Sequence, residues 1–263
     1  RVEKTLMGKS EIERSFLENF FLPDRFENIP EGMFPMCYPA DFGNGNFIPN
    51  WAMFLVLELE EYLQRTGDID FIIGAKDKIY ALMNYFKKFE NEDGLLDRLE
   101  KWVFVEWSEC NKLTQDINFP TNMLYAKTLK AVAKLYNDTE CAEKADRLKK
   151  IINEKSFTEN GFYCDNAVYG EDGVARLSGK CTETCQYYAF FTGVATPQTY
   201  PELWDTLVND FGPTRKENNK YPHVAFANSF IGNYLRLELL FQNKLYDKVT
   251  ENIRGYFKYM ADK

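Results

Sequence analysis

The fold is most readily inferred from Asn50–Lys88, NWAMFLVLELEEYLQRTGDIDFIIGAKDKIYALMNYFKK. Its first half predicts a helix from Asn50, as the capping residue, to residue 66, and the lack of charge near its start predicts burial on every side. A Gly-Asp turn then leads into a second helix over residues 69–88, whose lysines keep one face in water. Two helices joined by so short a turn form an antiparallel αα-hairpin.

The rest of the chain repeats this alternation of a buried helix and a wet helix. We predict nine helices, at residues 3–21, 50–66, 69–88, 118–137, 140–153, 183–194, 201–210, 225–242 and from the turn near Asn243 to about 260. The buried helices follow long connections and begin near residues 50, 118, 183 and 225. The connections cover 22–49, 89–117, 154–182 and 211–224, and small hairpins fit within them, for instance around 161–177.

Hairpins in this rhythm predict an all-α fold, an (α/α)6 toroid with the buried helices inside and the wet helices outside. The long connections then open at one end and make a pocket. A complete ring has twelve helices, so about nine of twelve are expected in residues 1–263, as a single (α/α)6 barrel domain. The wet first helix and the missing initial Met predict a fragment of a longer protein. The alternative is a helical bundle in which the alternation is coincidence.

Composition excludes several partners. The chain has 32 Lys and Arg residues against 40 Asp and Glu, with a net charge of −8 and no basic patch. This balance argues against nucleic acid and against an anionic membrane, and no stretch reads as transmembrane. Six cysteines are too few for a disulfide-stapled scaffold of this size, so we expect reduced thiols and a cytoplasmic location.

Motifs for several kinds of chemistry are absent from the sequence. There is no phosphate-binding glycine loop, no GxSxG nucleophile turn, no HExxH and no Asp-rich metal motif. Cys181 and Cys185 have no second pair and no nearby His, so a zinc site is not expected. We therefore predict a site with no metal and no cofactor.

The candidate site centres on Lys101–Tyr125, KWVFVEWSECNKLTQDINFPTNMLY, which leads into a predicted helix. Indole faces stack on the C–H surfaces of sugars and carboxylates accept hydroxyl protons, so Glu106, Trp107 and Glu109 predict carbohydrate recognition. Glu106 and Glu109 are also the candidate catalytic carboxylates, because glycoside cleavage needs two carboxyl groups flanking the bond. The alternative is a loop whose aromatic residues are buried and whose acids are solvated.

Other predicted substrate-binding residues lie in the remaining connections and at helix starts. They are Tyr38, Asp41, Trp51, Glu183 and His223. Asp41 also suits a turn-forming role, and Glu183, in a first helical turn, also suits simple compensation of the helix dipole. His223 is the only histidine, and without a Ser or Cys motif beside it a structural or substrate-contacting role is favoured over acid–base catalysis.

Four segments in succession resemble the helical domain of bacterial α-L-rhamnosidases, the six-hairpin glycosidases of glycoside hydrolase family 78 and its relatives. They are IPNWAMFLVLELEEYLQRTGD (48–68), VEWSE (105–109), INFPTNMLYAKTLKAVAKLY (117–136) and TETCQYYAFFTGVAT (182–196). The likeness covers roughly residues 45–260 and lies in the order of the segments. It implies an (α/α)6 barrel and inverting hydrolysis of terminal rhamnosides.

The resemblance also implies where site residues lie. Glu106 and Trp107 match an acidic residue followed by Trp in the family, while Trp51 and Glu183 match more weakly. The family's acid motif, Arg-Asp-Glu before the first outer helix, and its base motif, Thr-x-Trp-Glu after the last, are not found in this chain. The catalytic acid and base are thus expected elsewhere in a longer chain. The YPAD and TETCQYY segments are not general family features, which leaves sugars other than rhamnose open.

Three functions remain open. The first is an exo-acting glycoside hydrolase domain with an inverting carboxylate mechanism, a terminal α-L-rhamnosyl or similar sugar as substrate, and the remaining parts of the same chain as its partner. The second is a non-catalytic carbohydrate-binding or scaffold domain with a degenerate glycosidase fold. The third is a helical interaction module without a ligand, which predicts an exposed apolar patch.

Overall fold

The computed structural model describes residues 2–38, 45–228 and 230–261. The chain divides into two compact units. Unit 1 comprises Arg1–Phe104 with Lys127–Ala145, and unit 2 comprises Val105–Ala126 with Asp146–Lys263. The predicted site residue Asp41 lies outside the described residues.

Helices make up most of both units. The described ranges contain eleven α-helices: α1 (Val2–Met7), α2 (Glu11–Phe21), α3 (Pro49–Thr66), α4 (Ile69–Lys87), α5 (Phe119–Tyr136), α6 (Thr139–Ser156), α7 (Glu183–Thr192), α8 (Pro201–Asn209), α9 (Arg215–Asn218), α10 (Ile231–Gln242) and α11 (Tyr246–Ala261). The strands in the described ranges are β1 (Ile117–Asn118), β2 (Asn166–Tyr169), β3 (Ala175–Leu177), β4 (Cys181–Thr182) and β5 (Val224–Ala225). None of the helices in these ranges has the length and apolar character that crossing a bilayer requires.

The hairpin of α3 and α4 forms as the sequence predicts. Gly67 ends α3 with a left-handed φ of 71°, and its amide donates to the Leu63 carbonyl at 2.8 Å. Asp68 then caps α4 by accepting a hydrogen bond from the Phe71 amide at 3.2 Å. The side chains that these two helices bury completely are Met53, Val56, Leu59, Ile72, Ile79, Leu82 and Phe86.

The start of α3 differs from the prediction. Pro49 occupies the first turn, where its fixed φ suits a helix and its missing N–H costs nothing. Asn50 therefore does not cap the helix. Its side chain instead accepts a hydrogen bond from the Phe104 amide at 3.1 Å, which ties the second long connection to the start of α3.

The helix predicted over residues 3–21 is in fact two helices, α1 and α2. Gly8 adopts a left-handed φ of 70° and ends α1. The Glu3 carboxylate then caps α2 by accepting hydrogen bonds from the amides of Ile12 and Glu13, each at 3.0 Å. This break and the one-turn helix α9 account for the two helices beyond the nine predicted.

Two carboxyl groups meet between α2 and α3 in unit 1. Burial, and then a hydrogen bond with Glu13, raise the pKa of Glu58 from 4.5 to about 7, against the opposing charge of Arg65. The folded protein therefore keeps a proton that the unfolded chain releases between these pH values. The stabilisation from this group is complete at low pH and is lost as the pH rises through about 7.

We expect Glu58→Gln to remove part of this pH dependence, because a glutamine amide keeps the hydrogen bond to Glu13 and takes no charge. Urea denaturation between about pH 4.5 and pH 8 should show the variant gaining stability relative to the wild type as the pH rises. Glu140→Gln removes an exposed carboxylate on α6 and serves as the control. Parallel pH curves for the wild type and Glu58→Gln would contradict this account.

Unit 2 contains the small hairpin that the sequence predicts around residues 161–177. Strands β2 and β3 pair antiparallel, with Ala167 opposite Leu177, and β1 pairs with the other edge of β2. Strands β4 and β5 form a separate parallel pair, with Cys181 opposite Val224. Within unit 2 the long connections before α5, α7 and α10 thus meet through strand pairs at the N-terminal ends of these helices.

Helix α10 begins at Ile231 rather than near residue 225, where it was predicted. Its apolar pattern extends upstream, but residues 224–225 pair with β4 instead. The amides of Ala227 and Asn228 donate to buried carboxylates rather than to helical carbonyls. A periodicity argument cannot foresee this, because the acceptors come from other segments of the chain.

Helix α10 was predicted to be a buried helix, and only one side of it is buried. Leu235, Leu239 and Leu240 lie on the buried side, and α7 and α11 are its neighbours. Tyr234 and Phe241 are 40% and 59% exposed. The described residues of unit 2 therefore cover one side of this helix and leave the other open.

Candidate functional site

Glu106 is fully buried in unit 2, and both of its carboxylate oxygens accept hydrogen bonds. Oε1 accepts from the Gly232 amide at 2.7 Å, and Oε2 accepts from the Thr184 hydroxyl at 2.8 Å and the Asn228 amide at 3.0 Å. Burial raises the pKa of Glu106, while these bonds to the charged form oppose the rise. The carboxylate caps the start of α10. The residue at the N-cap position, Phe230, has no polar side chain that could accept hydrogen bonds from the first amides of the helix.

Glu183 lies in the first turn of α7 and forms a buried ion pair with Arg215. Its Oε1 accepts from Arg215 Nη1 at 2.6 Å, and its Oε2 accepts from the Ala227 amide at 3.0 Å. The side chains of Arg215 and Glu183 are 1% and 3% exposed, so solvent and salt screen the pair little. The positive end of the α7 dipole also favours a carboxylate at this position.

Arg215 makes further contacts that stabilise its buried charge. Its guanidinium lies between two aromatic rings, 4.8 Å from the Phe211 centroid and 4.6 Å from the Phe226 centroid. The carbonyl groups that accept its remaining hydrogen bonds are those of Lys220, Tyr221 and Val224. The guanidinium thus organises the whole connection from α9 to β5 around Glu183.

The two carboxylates bind one and the same segment. We call Phe226–Asn228 together with Phe230–Gly232 the anchored segment, because Glu183 and Glu106 accept hydrogen bonds from three of its amides. The side-chain amide of Asn228 also donates a hydrogen bond to the Trp107 carbonyl at 2.6 Å. The segment is therefore held from the first turn of α7 on one side and from the residues around Glu106 on the other.

A cavity of about 570 Å³ opens beside the anchored segment in unit 2. This volume is in the range of small-molecule sites, and the lining mixes acidic, basic and aromatic groups. The residues that give the lining this character are Glu183, Lys216, Glu217, Phe226, Tyr256 and Lys258. Burial raises the pKa of Tyr256 to about 12, and the charge of Glu183 adds to the rise, so the phenol stays a hydrogen-bond donor at neutral pH.

The other predicted residues of unit 2 lie on its surface. Trp107 is 55% exposed. Glu109 is exposed and forms an ion pair with Lys112 at 2.6 Å. His223 is exposed, and its ring packs edge-on against Phe162 with centroids 5.5 Å apart. Trp107, Glu109 and His223 are not among the described residues that line the cavity.

Two of the predicted residues that the structure describes belong to unit 1. Tyr38 is 40% exposed, and its ring lies 6.0 Å from that of Phe20. Trp51 is half-buried in the first turn of α3 and meets the Phe104 ring edge-on at 6.0 Å. Both rings present part of their surface to solvent, and their role in binding stays a prediction.

Sequence reasoning did not identify Thr184, Asn228 or Gly232, nor the pairing of Arg215 with Glu183. These residues act through contacts between segments far apart in the chain, which no local pattern records. The one available signal was the Gly at the start of α10, because a glycine there permits a close approach by another group. Among the described residues, no cluster of three or more His, Cys, Asp and Glu side chains is arranged to hold a metal ion.

Gly232 offers a direct test of how closely the site is packed. A Cβ at this position would lie 2.6 Å from Glu106 Oε2 and 2.7 Å from the Ala227 Cβ. We expect Gly232→Ala to lower the free energy of unfolding by about 1–3 kcal/mol, because the surrounding groups must shift. Urea denaturation measures this change.

The matched control is Gly74→Ala, in the exposed part of α4. A Cβ there meets no atom within 4 Å, so the helix should gain about 0.5–1 kcal/mol from the better helix former. Opposite signs for the two substitutions would support the packing described for Glu106. Two stabilising substitutions would show that the carboxylate does not lie against Gly232.

Hairpins of a buried and a wetter helix, with long connections meeting at helix N-termini, define an all-α protein of the αα-hairpin class. A family model described as the bacterial alpha-L-rhamnosidase 6 hairpin glycosidase domain matches residues 6–250. The chain belongs to this family. Its fold class is that of the six-hairpin glycosidases, the (α/α)6 type predicted from the sequence, and the chain is a rhamnosidase-like glycoside hydrolase domain.

Two solved structures share the fold. A family 78 rhamnosidase from Bacillus sp. GL1 is 20% identical to this chain, with a TM-score of 0.73. The match covers 88% of this chain and 23% of the Bacillus chain. A rhamnosidase from Klebsiella oxytoca, solved with rhamnose bound, is 17% identical, with a TM-score of 0.62 over 88% of this chain and 42% of its own. This chain therefore spans less than half the length of either relative. A search of curated protein sequences finds no match.

Proposed function

We propose that the protein containing this chain hydrolyses terminal α-L-rhamnosyl residues, or residues of a similar sugar, with inversion at the anomeric carbon. The observation that carries this proposal is the family membership of residues 6–250. The bound rhamnose in the Klebsiella oxytoca relative supports the choice of sugar. In an inverting glycosidase one carboxylic acid protonates the leaving oxygen, and a carboxylate about 6.5–9.5 Å away activates water.

The cavity beside the anchored segment is the proposed place for a sugar in unit 2. Glu183 contributes to its wall, and Tyr256 can donate a hydrogen bond to a hydroxyl group there. Glu106 is proposed to act by holding the anchored segment in place, because its oxygens are already engaged by donors. Among the substrate contacts predicted from the sequence, Glu183 lines this cavity. Contacts with a sugar from Trp107 and His223 in unit 2 and, separately, from Tyr38, Asp41 and Trp51 in unit 1 stay proposals.

Neither Glu106 nor Glu183 is proposed as the catalytic acid or base. Both oxygens of Glu183 accept hydrogen bonds, from Arg215 Nη1 at 2.6 Å and from the Ala227 amide at 3.0 Å, so this carboxylate holds the chain in place. Glu109 is exposed and keeps its place as a candidate carboxylate. The family motifs for the acid and base would then belong to further parts of the same protein.

A second candidate function is non-catalytic carbohydrate binding. It is favoured by one observation: the carboxylate oxygens of Glu106 and Glu183 accept hydrogen bonds from other parts of the chain. On this alternative the cavity still takes a sugar, and no bond is cleaved.

The test uses the full-length protein and p-nitrophenyl α-L-rhamnopyranoside, with the β-D-glucopyranoside and β-D-galactopyranoside as matched controls. We expect nitrophenol release from the rhamnoside in preference to the other two. Proton NMR during the first minutes should show β-L-rhamnose as the first product, since inversion of an α-glycoside gives the β-anomer.

The other outcomes separate the two candidates. Binding of rhamnose in calorimetry without hydrolysis of any aryl glycoside would overturn the enzyme and support the binding domain. Absence of both binding and hydrolysis would overturn both. Retention of configuration would overturn the inverting mechanism alone.

We further propose that residues 1–263 form one domain and that the remaining parts of a longer chain contact it. The single family model over residues 6–250 supports the first part of this proposal. The short span of this chain on both structural relatives supports the second part. Large apolar side chains exposed on α10 and α11 support it too, because single domains rarely leave so many together. They are Tyr234, Phe241, Tyr246, Ile253, Phe257 and Met260.

A further inference from the structure

Two buried cysteines of unit 2 lie opposite each other next to the start of α7. The Asp165 amide donates to the Lys180 carbonyl at 2.8 Å. In an antiparallel pairing, the residue that precedes the donor faces the residue that follows the acceptor. These two residues form no backbone hydrogen bond with each other. Those residues are Cys164 and Cys181, so their side chains lie on one side of the pairing.

The Cys164 sulfur has polar neighbours on its own side of the pairing. Cys164 Sγ lies 3.5 Å from the Ser178 Oγ and 3.4 Å from the Asn166 carbonyl oxygen. A hydrogen bond from the Cys181 thiol lowers the pKa of Cys164 to about 5, although burial opposes this. The same contact raises the pKa of Cys181. A thiolate next to a thiol is the arrangement from which a disulfide forms.

We propose that Cys164 and Cys181 form a reversible disulfide when the protein meets a peroxide, and that this bond clamps the base of the β2–β3 hairpin. Partners without hydrogen bonds between them have Cα atoms about 4.5 Å apart, within the roughly 4.4–6.8 Å that a disulfide spans. Cys181 is followed directly by Thr182, which caps α7, and then by Glu183. Oxidation thereby stiffens the strand that carries the Glu183 side of the site.

The chemistry balances with hydrogen peroxide as the oxidant. The Cys164 thiolate attacks one peroxide oxygen, the O–O bond breaks, and hydroxide leaves, which gives a sulfenic acid. The Cys181 sulfur then attacks the Cys164 sulfur and gives up its proton, and the S–O bond breaks to release water. Two thiols and one peroxide thus become one disulfide and two waters, and a dithiol reductant reverses the step.

The test starts from full-length Cys37→Ser protein, since Cys37 is exposed and could join two copies. The protein is treated with hydrogen peroxide, alkylated and digested without reduction. We expect one cross-link, between the tryptic peptides that contain Cys164 and Cys181, which dithiothreitol reverses. The oxidised protein should melt about 5–10 °C above the reduced protein, because the bond closes a loop of moderate length.

Cys185 is the matched control, because its thiol donates to the Cys164 carbonyl at 3.7 Å and it shares a tryptic peptide with Cys181. Cys185→Ala should keep the cross-link, and Cys181→Ser should lose both the cross-link and the rise in melting temperature. Loss of the cross-link in Cys185→Ala would overturn the proposed pair, as would peroxide treatment that leaves Cys164 and Cys181 open to alkylation after unfolding. Fragmentation of the cross-linked peptides in the mass spectrometer separates Cys181 from Cys185, so it decides the question without any variant of this pair that fails to fold.

Discussion

Replacing Arg215 with alanine is expected to lower the free energy of unfolding by about 3–5 kcal/mol. The substitution leaves Glu183, 3% exposed, as a buried carboxylate without its cation. It also removes the donors for three carbonyl groups and the charge that lies between the Phe211 and Phe226 rings. Loss of one partner of a buried pair costs far more than loss of an exposed pair, since the remaining charge cannot reach water.

The control for this prediction is the neighbouring Lys216→Ala, which removes an exposed cation next to the Phe226 ring. That change should stay within about 0.5 kcal/mol, as is usual for surface positions. Urea denaturation of both variants provides the comparison. If the free energy of unfolding of Arg215→Ala lay within about 1 kcal/mol of the wild-type value, the ion pair would not organise this region in solution.

Glu106→Gln is expected to have the second largest effect, a loss of about 2–4 kcal/mol in the free energy of unfolding. The side chain keeps its shape, but one oxygen becomes an NH2 group that faces donors. Whichever way the new amide turns, it meets an N–H of Gly232 or Asn228 that needs an acceptor. Buried donors without acceptors carry the full cost of leaving water.

Glu109→Gln is the matched control, because Glu109 lies three residues along the chain and is exposed. We expect its stability to stay within about 0.5 kcal/mol of the wild type. Thermal melting monitored by circular dichroism measures both variants. Equal melting temperatures for Glu106→Gln and Glu109→Gln would mean that the bonds to the anchored segment contribute nothing.

Much of the fold could be predicted from the sequence because its signals are local. The Gly67–Asp68 turn ends one helix and caps the next with its own atoms, so the pattern of residues contains the answer. The same holds for Asn118, whose side chain accepts from the Thr121 amide at the start of α5. Helix starts set by such caps were predicted to within a residue or two.

The errors in the fold arose where distant groups compete with the local pattern. The upstream end of α10 looked helical, but two of its amides bind Glu183 and Glu106 instead. The first helix looked continuous, but Gly8 turned left-handed and Glu3 capped the next helix. In both cases a carboxylate outside the observed helix accepts the hydrogen bonds that decide the boundary.

The sequence predicted several residues of the candidate site, but it did not predict which of them contact one another. Acidic residues next to Trp suggested Glu106 and Trp107, and an acid at the head of an uncharged helix suggested Glu183. The sequence could not show that Glu106 and Glu183 bind one segment, or that Arg215 neutralises one of them. The substrate contacts predicted for Tyr38, Asp41, Trp51 and His223 stay predictions.

Glu106 and Glu183 each hold their own amides of the anchored segment. Hydrogen exchange followed residue by residue in NMR tests this claim most directly, with Glu106→Gln and Glu183→Gln compared with the wild type. We predict that exchange of the Asn228 and Gly232 amides speeds up about tenfold or more in Glu106→Gln, and that the Ala227 amide responds most in Glu183→Gln. Unchanged exchange at these amides in both variants would contradict the claim.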